Sequence, residues 1–375
     1  MKLDELLARG QAAPGAFSPA EMAFLLELED AADLQRLFAA AYAVKLRRIG
    51  KVVSLRGIIE MGNRCAKDCL YCGIRRGNAG VERFELDEDA VVRMAKWAFD
   101  QEYGSIVIQS GEIESTAHTA LITRILRRVT EFSGGELGVT LSLGEQTEAV
   151  YRAWREAGAH RYLLRIESSS PEFYRQLHPA DHDFDRRLDC LRLLRKLDYQ
   201  VGSGVMIGLP GQTAAQLAAD LDFFRRMDLD MIGMGPYIPH PDTPLGAGIE
   251  ATPAFRARQL KLGLKMIAVA RLLLHDVNIA ATTALQALAD DGREQGILAG
   301  ANVIMPNVTD TEYRGKYQLY AGKPCLDENS SQCRSCLSFR IAAIGETINW
   351  AQRGDPRHYA ARKKSGGASG EAEGR

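Results

Sequence analysis

The chain has 375 residues, 46% of them hydrophobic, enough for one large domain or two ordinary ones, and length alone does not choose between these. Its 47 basic and 48 acidic residues leave a net charge of -1, which argues against a general phosphate-backbone binder and removes nucleic acid as an expected partner. The N-terminus lacks the apolar core of a signal peptide, and no uncharged apolar run reaches the ~18 residues that span a bilayer; a cytoplasmic protein with no membrane partner is expected.

Residues 1–50 read as a helical extension packed on the outside of the main fold. Ser18-Pro-Ala-Glu21 has the form of a capping box, and apolar spacing runs through Phe24, Leu25 and Leu28 to Phe38 and Tyr42. From Val53 the texture changes to short β-branched runs at 53–60, 105–109, 138–143, 161–166, 200–209, 230–235, 278–283 and 301–306. Amphipathic stretches lie between them; within Asp87–Phe99, the side chains of Val91, Met94, Ala95 and Ala98 share one helical face. Runs too apolar to have a wet face, alternating with helices, are the pattern of parallel strands covered by helices. Eight such units predict an α/β fold, a (β/α)8 barrel of the TIM type over residues 51–310.

In that architecture the active site is built at the C-terminal ends of the strands. Here the runs end in EMGNRC, QSGE, SLGE, RIESSS, GLPGQT, GPYIPHPDTP, ATT and MPN, with carboxylates in several. Any one of these is ordinary turn punctuation, but their recurrence at one structural position points to a site. Residues 311–362 are expected as a C-terminal segment, and 363–375, small and polar, as a disordered tail.

Seven cysteines in a reducing compartment point to metal or redox chemistry more than to disulfides. Cys65, Cys69 and Cys72 stand at C-x3-C-x2-C spacing on the loop after the first run. A [4Fe–4S] cubane normally takes four thiolates, so three leave one iron without a protein ligand. Zinc is the alternative, but it wants four protein ligands, and the nearest histidine in sequence is His118. Tyr71 immediately precedes the third cysteine. On this motif, C-x3-C-x-aromatic-C, the chain resembles the radical S-adenosylmethionine (SAM) superfamily. The resemblance implies that Cys65, Cys69 and Cys72 are the catalytic ligands and that SAM occupies the open iron. One-electron cleavage of SAM to a 5′-deoxyadenosyl radical is implied by the same resemblance.

Ser110-Gly111-Glu112 resembles the superfamily motif that receives the amino group of SAM. Glu167 and Arg187 resemble the carboxylate and guanidinium that clasp SAM in the biotin-synthase-like branch; a guanidinium suits a carboxylate through two parallel hydrogen bonds. Arg186 leaves that assignment open by one residue, and a solvated helix charge is the other reading of Arg187.

Together GIIEMGNRCAKDCLYCGIRRGN, IVIQSGE, VTLSLGE, GLPGQT, GMGPYIPHPDTPL, ATTA and GANVIMPN resemble the HydE family of [FeFe]-hydrogenase maturases, from about residue 50 to 350. That resemblance implies assembly of the diiron subsite of the hydrogenase H-cluster, with an iron–cysteine carbonyl/cyanide synthon attacked at sulfur. It also implies a small organometallic or amino-acid-derived substrate, a reductant such as flavodoxin or ferredoxin, and other hydrogenase maturases as partners. Compatible substrate-facing residues are Thr140 and Arg165 on the third and fourth runs, Met231 and Met305 as thioether walls, and Thr282 and Thr283 as hydroxyls. For the methionines, core filling is the alternative. Tyr317 falls on the segment that closes over the site in this family, and a surface tyrosine is its other reading.

Cys325, Cys333 and Cys336, at C-x7-C-x2-C spacing, match the auxiliary iron–sulfur site of part of the HydE family, a [2Fe–2S] or a [4Fe–4S] cluster. Zinc with a distant fourth ligand is the rival. This site is expected at the periphery and dispensable for radical initiation. Cys190, beside Leu191 and Leu194 on an apolar helix face, reads as a buried structural thiol. Methylornithine synthase and biotin-synthase-like enzymes remain as alternatives within the branch, and a non-catalytic iron–sulfur scaffold as an alternative of another class.

Overall fold

In the computed structural model, which describes residues 2–370, the chain opens with α1 (Leu3–Ala12), α2 (Pro19–Leu26) and α3 (Ala31–Arg48). The capping box starts α2: the Ser18 hydroxyl accepts from Glu21 N while the Glu21 carboxylate accepts from Ser18 N at 2.8 Å. The buried face of α3 is made by Leu34, Leu37, Ala41 and Val44; Phe38 and Tyr42, expected on that face, are half-buried.

Strands and helices then alternate. β1 (Val52–Leu55), β2 (Gly57–Gly62), α4 (Glu88–Asp100), β3 (Ser105–Ser110), α5 (Thr116–Ser133), β4 (Gly138–Ser142), α6 (Glu148–Glu156) and β5 (Arg161–Leu163) form the first half. α7 (Pro171–Leu177), α8 (Phe184–Lys196), β6 (Gln200–Ser203), β7 (Met206–Ile207), α9 (Ala214–Arg226), β8 (Met231–Ile232), β9 (Gly235–Pro236), α10 (Pro253–Leu274) and β10 (Asn278–Ile279) come next. The chain continues through α11 (Thr283–Leu288), α12 (Gly292–Leu298), β11 (Val303–Ile304), α13 (Thr311–Arg314), α14 (Ser330–Ala343), β12 (Thr347–Ile348) and α15 (Arg357–Gly370). The first part of the expected tail, 363–370, thus lies in a helix, and 371–375 lie outside the described residues.

The expected (β/α)8 barrel needs correction. A continuous parallel ladder runs β2-β3-β4-β5-β6-β8-β10, a curled, open sheet whose edges are β2 and β10. The eighth run, β11, belongs to a separate three-stranded sheet with β1 and β12. The reason lies in the first run: it breaks at Arg56, so its first half pairs with β11 and its second half with β3. In the opening, β11 and the residues after it touch each edge by an isolated parallel bridge, Val303 to Ala280 and Asn307 to Ile58.

Strand alternation sorts the side chains. Ile106, Ile108, Val139 and Leu141 join the hydrophobic core, whereas Val107 and Thr140 line an interior cavity. Val91, Met94, Ala95 and Ala98 of α4 are buried as the spacing predicts. Burying a side chain such as Ile106 contributes roughly 1.5–3 kcal/mol, and one such core extends from Leu3 in the extension to Ile341 on α14.

The end of the sheet away from the site is plugged by the chain between β12 and α15. Arg161, fully buried, donates to Arg353 O at 2.6 Å and pairs with Asp355; Gln200 donates to Asp355, and Asn278 to Gly354 O. Each donor stands at the first residue of its strand. Among the described residues, no helix is long and apolar enough to cross a membrane.

Candidate active site

The loop after β2 carries Cys65, Cys69 and Cys72, and side chains hold it where secondary structure does not. Arg83 donates to the carbonyls of Asn63, Ile74, Arg75 and Asn78, and Asn63 Nδ2 donates to Glu82 O and Lys316 O. Gly111 allows the end of β3 to approach this loop: a Cβ there would lie 2.1 Å from Arg64 O. Cys65 Sγ accepts backbone N–H groups from Lys67 at 3.4 Å and Glu112 at 3.3 Å. All three thiols are free and half-buried; burial pushes Cys69 up to about 12 and raises Cys65 and Cys72 as well. Among the described residues, no three His, Cys, Asp or Glu side chains converge at metal-ligand distances.

Beside the loop lies a buried charge network. Arg187 donates through Nε to Glu145 Oε1 at 2.8 Å, through Nη2 to Glu112 Oε2 at 3.3 Å and through Nη1 to Arg165 O at 3.0 Å. Lys67 Nζ reaches Glu145 at 3.1 Å and Glu112 at 3.3 Å. Burial pulls the Lys67 ammonium down, and the two carboxylates more than offset it. Burial raises Glu112, against the charges of Arg187 and Lys67. Arg186 is exposed on the neighbouring position, paired with Glu114 and 3.4 Å from Glu145. Of the two neighbouring guanidiniums, Arg187 is the buried one, held by Glu112 and Glu145, and Arg186 is the exposed one.

Glu167 is buried, its carboxyl raised by burial against the charges of Arg165 and Arg187. Arg165 Nη2 pairs with Glu167 Oε2 at 2.9 Å and Lys67 Nζ with Glu112 Oε1 at 3.3 Å; neither carboxylate oxygen has a hydrogen-bond donor beyond that ion pair. Carboxylate oxygens held only by an ion pair, beside three thiols, have acceptor capacity left for a polar ligand group. Ser110 Oγ donates to Gly111 O at 2.6 Å.

The fold also brings two histidines to the loop that the sequence placed far away. His178 Nε2 is 3.1 Å from the Tyr71 hydroxyl, and His182 Nε2 accepts from Asp68 N at 3.0 Å. Their other nitrogens face Tyr174 O and Asp181, both at 2.8 Å. With every ring nitrogen engaged, neither imidazole is free to complete a zinc site with the three thiols. Missed by sequence reasoning were Lys67, Glu145, His178 and His182. Only Glu145 carried a signal, as the carboxylate of the SLGE turn.

The expected substrate residues divide into groups. Thr140, Met231 and Met305 line an interior cavity of about 20 Å³ with Arg56 and Asn278, room for about one water. Thr140 Oγ1 has no partner there, and Arg56 Nη1 lies 2.7 Å from Met231 Sδ. Arg165 stands apart with Glu167. Thr282 Oγ1 is unpartnered, and Thr283 accepts from Arg293 at 3.1 Å. Tyr317 is buried, not a surface residue, and its hydroxyl accepts from Gln109 at 3.0 Å.

In the second cysteine group, the neighbouring Cys333 thiol holds Cys325 down and is itself pushed up, and Cys325 Sγ accepts from Gln286 Nε2 at 3.7 Å. Cys336 is exposed one helical turn along α14 from Cys333. Cys190 is buried with Sγ 3.6 Å from Gln146 O.

Residues 59–224 match the Radical SAM superfamily. The chain is 42% identical over 320 residues to the [FeFe] hydrogenase maturase subunit HydE of Thermotoga maritima, covering 85% of this chain and 88% of that one. It is 29% identical over 304 residues to biotin synthase of Trichlorobacter lovleyi, covering 79% and 87%. Among solved structures, methylornithine synthase superposes with a TM-score of 0.77 at 22% identity, covering 93% of this chain and 97% of that one, a likeness of fold.

Proposed function

The chain belongs to the HydE family of radical SAM enzymes, and on that premise we propose that its radical chemistry serves assembly of the diiron subsite of an [FeFe] hydrogenase. The observation that carries this reading is the 42% identity to a HydE maturase along 85% of the chain, against 29% to a biotin synthase. The substrate in this reading is a small iron–cysteine carbonyl/cyanide species.

Cys65, Cys69 and Cys72 would hold a [4Fe–4S] cluster, and Ser110, Gly111, Glu112, Glu167 and Arg187 would hold SAM. When bound, this pair supplies a 5′-deoxyadenosyl radical. Glu145 fixes Arg187 by its Nε, so the guanidinium keeps one orientation when a carboxylate arrives. Glu167, whose Oε2 is held only by the ion pair with Arg165, can accept from an amino group. The plug between β12 and α15 keeps water from the far end of the sheet, which a radical reaction requires. Thr140, Arg165, Met231, Thr282, Thr283, Met305 and Tyr317 would face the substrate. Cys325, Cys333 and Cys336 would hold a second, peripheral cluster. Residues 1–50 then act as an extension, 51–310 as the catalytic unit and 311–362 as the segment bearing the second cluster.

Anaerobic reconstitution with iron and sulfide, followed by SAM and dithionite, tests the enzyme reading. 5′-Deoxyadenosine should form, vanish in Cys69→Ala and persist in Cys333→Ala. A reconstituted chain that makes none sinks the radical reading. One that makes it but does not support maturation of apo [FeFe] hydrogenase in a mixture lacking only this component sinks the maturase reading.

A further inference from the structure

The segment Leu177–His182, between α7 and α8, is tied to the cysteine loop at successive positions. Leu70 N donates to Leu177 O at 3.0 Å, Asp68 N donates to His182 Nε2 at 3.0 Å, and the Tyr71 hydroxyl meets His178 Nε2 at 3.1 Å. Arg76 adds an ion pair to Asp181 at 3.7 Å. Both histidines are buried, and their partners fix their tautomers. Tyr174 O can only accept, so His178 Nδ1 carries the proton and Nε2 accepts from Tyr71. An amide can only donate, so His182 Nε2 is the acceptor and Nδ1–H points at Asp181.

We propose that Leu177–His182 is a strap that preorganises the cysteine loop, with His182 and His178 as positioning residues acting through Asp68 and Tyr71. The proposal rests on the reading of Cys65, Cys69 and Cys72 as cluster ligands. Its physical content is entropic. Ordering a loop costs backbone freedom, and contacts formed during folding meet that cost before metal arrives. The loop's other half is pinned independently, by Asp68 Oδ1 accepting from Gly77 N and Arg75, both at 2.8 Å. Because α8 comes directly after the strap, the same segment couples the cysteines to Arg187.

Amide hydrogen exchange on the apo chain is the first measurement: the Asp68 and Leu70 amides should be protected, and exchange at unprotected rates overturns the strap. In His182→Leu, Asp68 should exchange about tenfold faster, the loss of one hydrogen bond. His182→Gln, whose Oε1 can accept from the same amide, should restore protection. Iron uptake at limiting iron should slow in the leucine variant and recover in the glutamine one. Tyr71→Phe and His178→Leu should raise the SAM KM non-additively while sparing kcat. Unchanged Asp68 exchange in a folded His182→Leu, or additive effects of the Tyr71 and His178 changes, would refute the proposal. Cys69→Ala separates the two readings: it removes 5′-deoxyadenosine but should leave Asp68 protected.

Discussion

Asp220, on α9, is fully buried: Oδ1 accepts from Ser169 N at 2.6 Å and Oδ2 has no partner. It supports the turn after β5, where Glu167 holds a left-handed φ of 64°, a conformation that costs a non-glycine residue about 1 kcal/mol. Burial pushes the Asp220 carboxyl up to about 7. The folded chain then keeps a proton that the unfolded chain releases near pH 4, so this group's contribution to stability falls as pH rises from about 4 to 7. Asp220→Asn keeps an acceptor for Ser169 and removes the charge. Thermal unfolding of both proteins across that range should show the variant gaining on the native chain, by on the order of a few kcal/mol at pH 8. A stability difference that is flat with pH would contradict this.

Among the elements, α15 is held by charge. His358 Nε2 lies 2.6 Å from Asp228 and Nδ1 lies 3.2 Å from Asp276, and these hydrogen bonds raise the imidazole to about 9. A raised histidine contributes stability that is fully present below its unfolded value near 6.5 and is lost as pH climbs through 9. His358→Gln should therefore lower the melting temperature at pH 6, by the equivalent of about 1 kcal/mol after solvent screening, and change little at pH 10. The capping boxes of α9 (Thr213 with Gln216) and α14 (Asn329 with Gln332) have the same local form as Ser18 with Glu21 and were equally open to a reading of the sequence. The anchoring of α15 was not, since Asp228 and Asp276 come from distant parts of the chain.

At the scale of the whole molecule, the two ends of the chain meet. Lys45 on α3 pairs with Glu346, just before β12; both side chains are fully buried, and Tyr42 donates to the same carboxylate at 2.6 Å. Removing one partner of a buried pair strands the other charge, at a cost of about 3–5 kcal/mol. Glu346→Ala should show that loss in denaturant unfolding, and adding Lys45→Met should recover much of it. If Glu346→Ala costs less than about 1 kcal/mol, the extension is not tied to the C-terminal segment in this way. The shared core from Leu3 to Ile341 makes the same point: the first fifty residues complete the fold that carries the site.

What the sequence determined by itself is the family, through the cysteine motif and the strand-end motifs, and the helical faces. Spacing such as C-x3-C-x2-C, or Val91 with Met94, Ala95 and Ala98, is a relation between near neighbours, and local geometry turns it into cysteines sharing one loop or into a buried stripe. The alternation of runs and helices likewise announced a parallel sheet. Only the tertiary structure decided how far that sheet closes, because the break at Arg56 diverts β1 to a second sheet. It also decided that Arg187 and not Arg186 is buried against Glu112 and Glu145, and that two histidines hydrogen-bond to Asp68 and Tyr71 of the cysteine loop. Glu145 is 42 residues from Arg187 and His182 is 114 from Asp68, distances over which no periodicity in the chain encodes contact.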